Sequence, residues 1–358
     1  MIRLARTPLL ECAPGPMPPD FDYGRVEGMM LGLAIGDALG NTSESMLPEE
    51  RRALYGEIRD YLPNRHAGNR PVGLPSDDTQ LAFWTLEQML TDGGFEPART
   101  AERFTHDQIY GIGDSVRTFL WNYKSGMPWY ECGPESAGNG ALMRIASMLI
   151  PHLRTGTAEL WADAALSAMI THNDSASNAA CVAFVWMLWD LLQMDRPPEP
   201  DWWLHTYVDT ARTLETGQAY QPRGGSYTSY SGPLWRFAEE RVGEAHLLGL
   251  STLDACNAWH SGAYLLETVP GVLYILMCYG DQPEEAIIRA VNDTRDNDTI
   301  AAIVGAAVGA LHGIERLPGR WVSGLLGRTG ADDDGQVCRL LDWARSVFWV
   351  EHDHQAEP

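Results

Sequence analysis

Lysine is almost absent from this chain of 358 residues; Lys124 is the only one. Chemistry that needs a dedicated lysine elsewhere, such as that of a phosphate-binding P-loop, is excluded, and fixed positive charge must come from arginine. Basic residues are scarce overall, 26 Lys and Arg against 48 Asp and Glu, for a formal net charge of −22. Proteins that grip nucleic acid or anionic lipid need clustered cations, so neither partner is expected. A small anionic substrate stays open, because a bound cation reverses the local field. Paired cysteines are missing as well. Cys12, Cys132, Cys181, Cys256, Cys278 and Cys338 are scattered without a Cys-x-x-Cys motif, which reads as reduced thiols and argues against a thiolate zinc site. No apolar run suits a bilayer: residues 181–192 are too few and contain Asp190, and residues 262–280 contain Glu267 and Pro270. The start carries Arg3 and Arg6 but no apolar core of a secretory signal. The expected location is the cytoplasm.

Two acidic clusters stand out among what is present. Asp296-Asn297-Asp298-Thr299 runs into a helical stretch with Gly305, Gly309 and Gly313, and Ser76-Asp77-Asp78-Thr79 precedes the apolar positions Leu81, Trp84, Leu86, Met89 and Leu90. Ser, Thr and Asp are favoured at helix starts as caps, which is the plain explanation for each cluster taken alone. Adjacent like charges repel, however, and several carboxylate oxygens suit a hard divalent cation. The two clusters together point to one metal-dependent site assembled from distant parts of the chain. A phosphoryl-aspartate reading of Asp296-x-Asp298-Thr299 fails, because no apolar strand precedes it and no lysine follows.

Along the chain, residues 1–23 are rich in proline and read as an irregular extension outside the fold or across its surface. Helical spacing begins at Val26, Met29, Met30 and Leu33, with Gly28, Gly32, Gly36 and Gly40 on one face. Each glycine costs a helix about 1 kcal/mol relative to alanine, a cost offset by close approach to another helix, for which the 305–309–313 stripe is the natural partner. Residues 41–75 read as a loop carrying Glu44, and residues 195–235 as an insertion or rim. Gly138-Asn139-Gly140 is a glycine turn feeding a helix, and Thr171-His172-Asn173-Asp174 opens an apolar helix over 176–192. The last helix lies near residues 336–350. Without strand alternation, βαβ rhythm or repeats, the expected fold is a single all-α domain over residues 24–346, followed by a polar tail, 347–358. His352 and His354 in that tail read as a solvated end rather than a chelating pair.

Taken in order, Gly36-Asp37-Ala38-Leu39-Gly40 with Glu44, Ser76-Asp77-Asp78-Thr79, Gly138-Asn139-Gly140 with Met143-Arg144, Thr171-His172, and Asp296-Asn297-Asp298-Thr299 running into Ala301-Ala302 resemble the ADP-ribosylglycohydrolase family over roughly residues 24–315. The resemblance implies an orthogonal helical bundle with two magnesium or manganese ions in a metal-lined cleft. By this likeness Ser76, Asp77, Asp78, Asp296, Asp298 and Thr299 are the metal ligands, and Glu44 gates or positions the substrate. Asp77, Asp78 and Glu44 are the candidate catalytic acids. Gly138, Asn139, Gly140 and His172 face the diphosphate and ribose, and Ser261, Gly262 and Tyr264 line a nucleoside pocket. The implied reaction is hydrolysis of the bond joining ADP-ribose to a modified protein side chain, arginine by preference, or to a small conjugate. An alternative is an immunity-type protein that blocks an ADP-ribosyltransferase toxin through residues 1–23, with or without hydrolysis. Three positions depart from the family: Ser76 stands where threonine is usual, Thr294 and Arg295 stand where glycines are usual, and Gly111-Ile112-Gly113 stands where some relatives carry a further aspartate.

Overall fold

A computed structural model describes residues 1–350, and the tail with His352 and His354 lies outside the described residues. The helices are α1 (Gly24–Gly40), α2 (Pro48–Tyr55), α3 (Asp77–Asp92), α4 (Pro97–Arg103), α5 (Asp114–Lys124), α6 (Trp129–Cys132), α7 (Glu159–Thr171), α8 (Ser175–Gln193), α9 (Pro200–Leu214), α10 (Leu234–Leu248), α11 (Thr252–Ala258), α12 (Leu265–Tyr279), α13 (Pro283–Asp293), α14 (Asn297–His312), α15 (Gly319–Gly324) and α16 (Gln336–Ala344). The described strands are two residues each, β1 (Pro63–Asn64) paired antiparallel with β2 (Arg70–Pro71). The fold is all-α.

Its central contact is α1 against α14, running antiparallel with main chain on main chain. A Cβ added to Gly28 would lie 2.5 Å from Gly309 O, one on Gly32 2.2 Å from Gly305 O, and one on Gly36 2.0 Å from Ala301 O. At Gly40 it would meet the Asp298 backbone at 2.4 Å. No side chain larger than hydrogen fits at these four positions, which explains the stripe. The register joins the C-terminal end of α1 to the first turn of α14, where the second acidic cluster sits. Asn297 fastens this junction, its Nδ2 donating to Gly40 O at 3.0 Å and Ser43 Oγ at 3.1 Å.

Several expectations need correction. Residues 195–235 are not a rim throughout: α9 occupies 200–214 and buries Trp203, Leu204, Tyr207, Val208, Ala211 and Leu214. Pro197 and Pro198 masked this period, although Pro200 sits at the start of the helix, where its missing N–H costs nothing. Residues 41–75 hold α2 and the small hairpin as well as loop. The apolar helix α8 extends beyond the short run read from sequence, to 19 residues with mean hydropathy 1.3, long and apolar enough to cross a membrane. That apolar window is 89% buried inside the fold, so α8 is a core helix here. Between α11 and α12 the chain turns through residues 259–264, where His260 and Ser261 adopt positive φ of 71° and 39°. Such conformations cost side-chain-bearing residues roughly 1–3 kcal/mol each.

Residues 1–23 run across the body and are tied to it. Ala5 N–H donates to Leu214 O (2.8 Å), Met17 N–H to Leu153 O (2.8 Å) and Gly15 N–H to Gly156 O (3.1 Å). The Trp161 indole donates to Cys12 O at 2.7 Å. Met17 and Tyr23 are buried.

Candidate active site

The first acidic cluster enters the site through Asp37, a residue the sequence reading left in the glycine helix without a role. Asp37 is fully buried near the end of α1. Its carboxylate accepts Ser76 N–H (2.9 Å), Ser76 Oγ–H (2.7 Å), Thr79 N–H (3.1 Å), Thr79 Oγ1–H (2.6 Å) and an Asn41 Nδ2–H (3.0 Å). Ser76 itself makes no side-chain cap of α3. Asp37 caps α3 from another helix, satisfying backbone donors that a local cap would otherwise take. Asp77 and Asp78 are thus spared that task. The second cluster behaves alike: Asp296 holds the N-cap position of α14 but makes no cap bond, and accepts from Asn139 Nδ2 instead. Apart from the first-turn Thr299 N–H that Asp298 accepts, helix capping does not account for either cluster.

Two trios of carboxylates converge. Ligand oxygens of Asp37, Asp78 and Asp298 lie within 4.8 Å of one another, and so do those of Glu44, Asp296 and Asp298. Asp298 is common to both. The trios grade from interior to solvent: Asp37, Asp78 and Asp298 are buried, Asp296 is half-buried, and Glu44 is exposed. Glu44 follows a short 3-10 turn, Asn41–Ser43, and precedes Ser45, whose φ is 69°. Burial, reinforced by neighbouring carboxylates, holds Asp78 and Asp298 well above the usual carboxylate range. Glu44, though its side chain reaches solvent, is raised too, by partial desolvation of its carboxyl against the cluster and then by Asp296.

Asp77 belongs to neither trio. Its Oδ1 lies 2.8 Å from where a Cβ of Gly111 would stand, so the Gly111-Ile112-Gly113 loop closes over it with no acid of its own. Burial, then the charge of Asp37, pushes Asp77 up to about 8.

The residues present fit a divalent cation by one direct sign: Asp78 Oδ1 is buried with no hydrogen-bond partner. A bare carboxylate oxygen in such a place is costly unless something binds it. An all-oxygen donor set with two converging trios suits a hard divalent cation rather than softer metals.

The opposite wall is built from the glycine turn. Asn139 Nδ2 donates to Asp296 and to Thr268 Oγ1 (3.0 Å), and Thr268 Oγ1 donates to Gly262 O (2.8 Å). Gly138 pairs with Tyr264 as a β-bridge. Ser261 works through more than its side chain: its carbonyl accepts Asp296 N–H (3.0 Å), and its Oγ accepts Arg295 N–H (3.2 Å). Gly262 leaves no room for a Cβ, which would be 2.7 Å from Glu267 Oε2. Thr299 lies buried in the first turn of α14, its N–H on Asp298 Oδ1 at 2.9 Å.

His172 ends α7 rather than opening α8, whose N-cap is Asp174. Its buried ring fills the space beneath Gly138 and Gly140, and a Cβ on Gly140 would come within 2.9 Å of it. Burial, helped by Arg144, lowers His172 to about 3, so it is neutral at physiological pH. Thr294, in place of the usual glycine, closes α13 through Oγ1 to Ala290 O (2.6 Å). Arg51 braces the same loop by donating to Val291 O (2.7 Å) and Thr294 O (3.0 Å).

Sequence reasoning missed Asp37, Asn41, Thr79, Thr268 and Glu267 as contributors. Asp37 had a signal: it is the one charged residue in an apolar helix from Met29 to Leu39. Buried charge of that kind marks function more often than surface charge does.

Comparison with known proteins identifies the family. The family model described as ADP-ribosylglycohydrolase matches residues 17–352. An ADP-ribosyl-[dinitrogen reductase] glycohydrolase of Rhodospirillum rubrum is 26% identical, covering 89% of this chain and 96% of the relative. An ADP-ribosylarginine hydrolase, Tri1, of Pseudomonas putida is also 26% identical, over 85% of this chain and 75% of its own. A solved structure, an ADP-ribosylglycohydrolase-related protein complex, superposes with a TM-score of 0.67 at 25% identity, covering 91% of this chain and 97% of that one. With the match running through both acidic clusters and nearly end to end, the chain belongs to the ADP-ribosylglycohydrolase family.

Proposed function

We propose that the protein is a divalent-cation-dependent hydrolase that releases ADP-ribose from a modified protein side chain, arginine by preference. The observation that carries this reading is the pair of carboxylate trios sharing Asp298. In it, Asp37, Asp78 and Asp298 would hold one magnesium or manganese ion and Glu44, Asp296 and Asp298 a second, while Ser76, Asp77 and Thr299, the further ligands that the family resemblance implies, stand next to these acids in the chain. Such cations, when bound, orient sugar hydroxyls and supply activated water near neutral pH.

The chain's own residues do the rest. Asp77, outside both trios, and Glu44, the outermost acid of the second, transfer protons as the leaving group departs, with Asp78 supporting them. The carboxylates oppose the positive charge that builds at the anomeric carbon. Neutral His172 supports the Gly138-Asn139-Gly140 turn, whose backbone faces the diphosphate. Exposed Glu44 at the mouth suits a guanidinium leaving group, and the relative from Pseudomonas putida is named for the arginine linkage. Six unpaired cysteines agree with a reducing compartment, the cytoplasm. Direct blocking of a toxin by residues 1–23 would require exchanging the hydrogen bonds that tie this segment to its own fold.

The test is release of free ADP-ribose from an arginine-ADP-ribosylated protein in magnesium or manganese, with Asp77→Ala alongside. Release by wild type that falls at least about 100-fold in the variant supports the reading. No release from arginine-, serine- or acetyl-linked substrates refutes it.

A further inference from the structure

Arg295 stands where the family resemblance leads one to expect a glycine, and its surroundings give it a task. It directly precedes Asp296, and its backbone N–H is fixed by Ser261 Oγ at 3.2 Å. Its Nε is buried without a hydrogen-bond partner. Among the described residues its guanidinium makes no hydrogen bond or ion pair, in a chain with 48 acidic residues to choose from.

A second arginine stands on the same wall. The Arg223 guanidinium lies over the Tyr264 ring, 4.3 Å from its centre, and Tyr264 is the bridge partner of Gly138. The Arg223 loop is held rigidly. Glu267 Oε1 accepts the Arg223 N–H (2.9 Å), Ser226 N–H reaches Ala258 O (2.7 Å), and Gly224 and Gly225 press on His260 and Ala258 too closely for any Cβ. Buried Glu267 sits close to both Arg223 and Arg295, whose charges oppose the rise that burial gives its carboxyl. Arg51, the other arginine near Asp298, is already spent on the carbonyls of Met46, Val291 and Thr294.

This distribution is uneven in an informative way. The acidic trios repel anions, and the molecule as a whole carries −22. A substrate with a diphosphate bridge gains from fixed cations, and on this wall Arg223 and Arg295 carry guanidinium groups that make no hydrogen bond or ion pair among the described residues and gather around Glu267. We propose that Arg295 and Arg223 form the anionic subsite, taking the diphosphate of ADP-ribose while its distal ribose lies at the carboxylates. A planar guanidinium donates in parallel to phosphate oxygens, which a glycine at position 295 cannot do. Arg295 is therefore a positioning residue that adds a side-chain grip on the phosphates. The inference rests on the ADP-ribosyl hydrolase reading above.

The experiment is calorimetric binding of ADP-ribose and of uncharged adenosine to the full chain with magnesium, for wild type, Arg295→Ala and Arg223→Ala, with folding of each checked by thermal melting. Arg295→Ala should bind ADP-ribose on the order of 10- to 100-fold more weakly while adenosine binding stays within about 2-fold. Rising salt should weaken ADP-ribose binding more in wild type than in the variant. In turnover, KM should rise while kcat changes less than about 3-fold. Arg223→Ala, at an exposed side chain, gives the same pattern in a variant with little risk to folding. Wild-type binding of ADP-ribose with both variants within about 2-fold of it overturns the subsite and leaves the hydrolase reading intact. A wild type that neither binds ADP-ribose nor releases it from any conjugate overturns both.

Discussion

Asp37 of α1 accepts the Thr79 hydroxyl of α3 at 2.6 Å, and with it the Thr79 N–H at 3.1 Å. One buried carboxylate therefore serves as the cap of a second helix and stands in one of the two carboxylate trios. Truncating it strands Ser76 and Thr79 donors in the interior. Asp37→Ala should lower unfolding free energy by about 2–4 kcal/mol in urea and abolish turnover. A variant within about 0.5 kcal/mol of wild type would show that the cap is dispensable.

The glycine stripe yields a paired prediction. Alanine is the better helix former by about 1 kcal/mol. Gly243 in α10 has nothing within 4 Å of an added Cβ, so Gly243→Ala should gain roughly 0.5–1 kcal/mol. At Gly32 the same methyl would stand 2.2 Å from Gly305 O, so Gly32→Ala should lose at least about 3 kcal/mol and disturb the site at the ends of both helices. Equal responses at the two positions would contradict the close main-chain contact.

Cation binding should be visible without turnover. A ligand that binds only the folded state raises its melting temperature, so magnesium or manganese should stabilise the wild type, and Asp298→Asn, which removes the shared acid, should remove the shift. A melting temperature indifferent to both cations in the wild type would count against the trios as ion sites.

Glu215 gives a pH dependence away from the site. It follows α9, and its oxygens accept Leu234 N–H (2.9 Å) and Trp235 N–H (2.8 Å), capping α10 in place of Pro233. Burial pushes it up to about 7 from 4.5. Between these values the native state holds a proton that the unfolded chain has released. Its stabilising contribution is complete below 4.5 and fades as pH rises through about 7. Glu215→Gln does not titrate there, so its stability relative to wild type should improve from about pH 5 to about pH 8. A difference in unfolding free energy that stays flat over that range would refute the assignment.

Much of this was legible in the chain because its signals are local. The stripe of Gly28, Gly32, Gly36 and Gly40 named its own partner, and the two Asp-bearing helix starts announced a shared site. What stayed hidden is what only long-range contact creates. Asp37 reads as one polar residue in an apolar helix until Ser76 and Thr79 are brought to it. His172 looks like a residue before an apolar helix until the 138–140 turn is laid over its ring. Helix α9 has a clear period from Trp203 to Leu214, obscured by the prolines just before it.

The contact of α1 with α14 has a further consequence. Carboxylates at the ends of these helices are spaced by one polypeptide backbone resting on another, without intervening side chains whose shapes could drift. The gap between Asp37 and Asp298 is therefore metered like a machined gauge. Repacking elsewhere in the core can soften or stiffen the molecule, yet it has little leverage on the dimension a cation would sense.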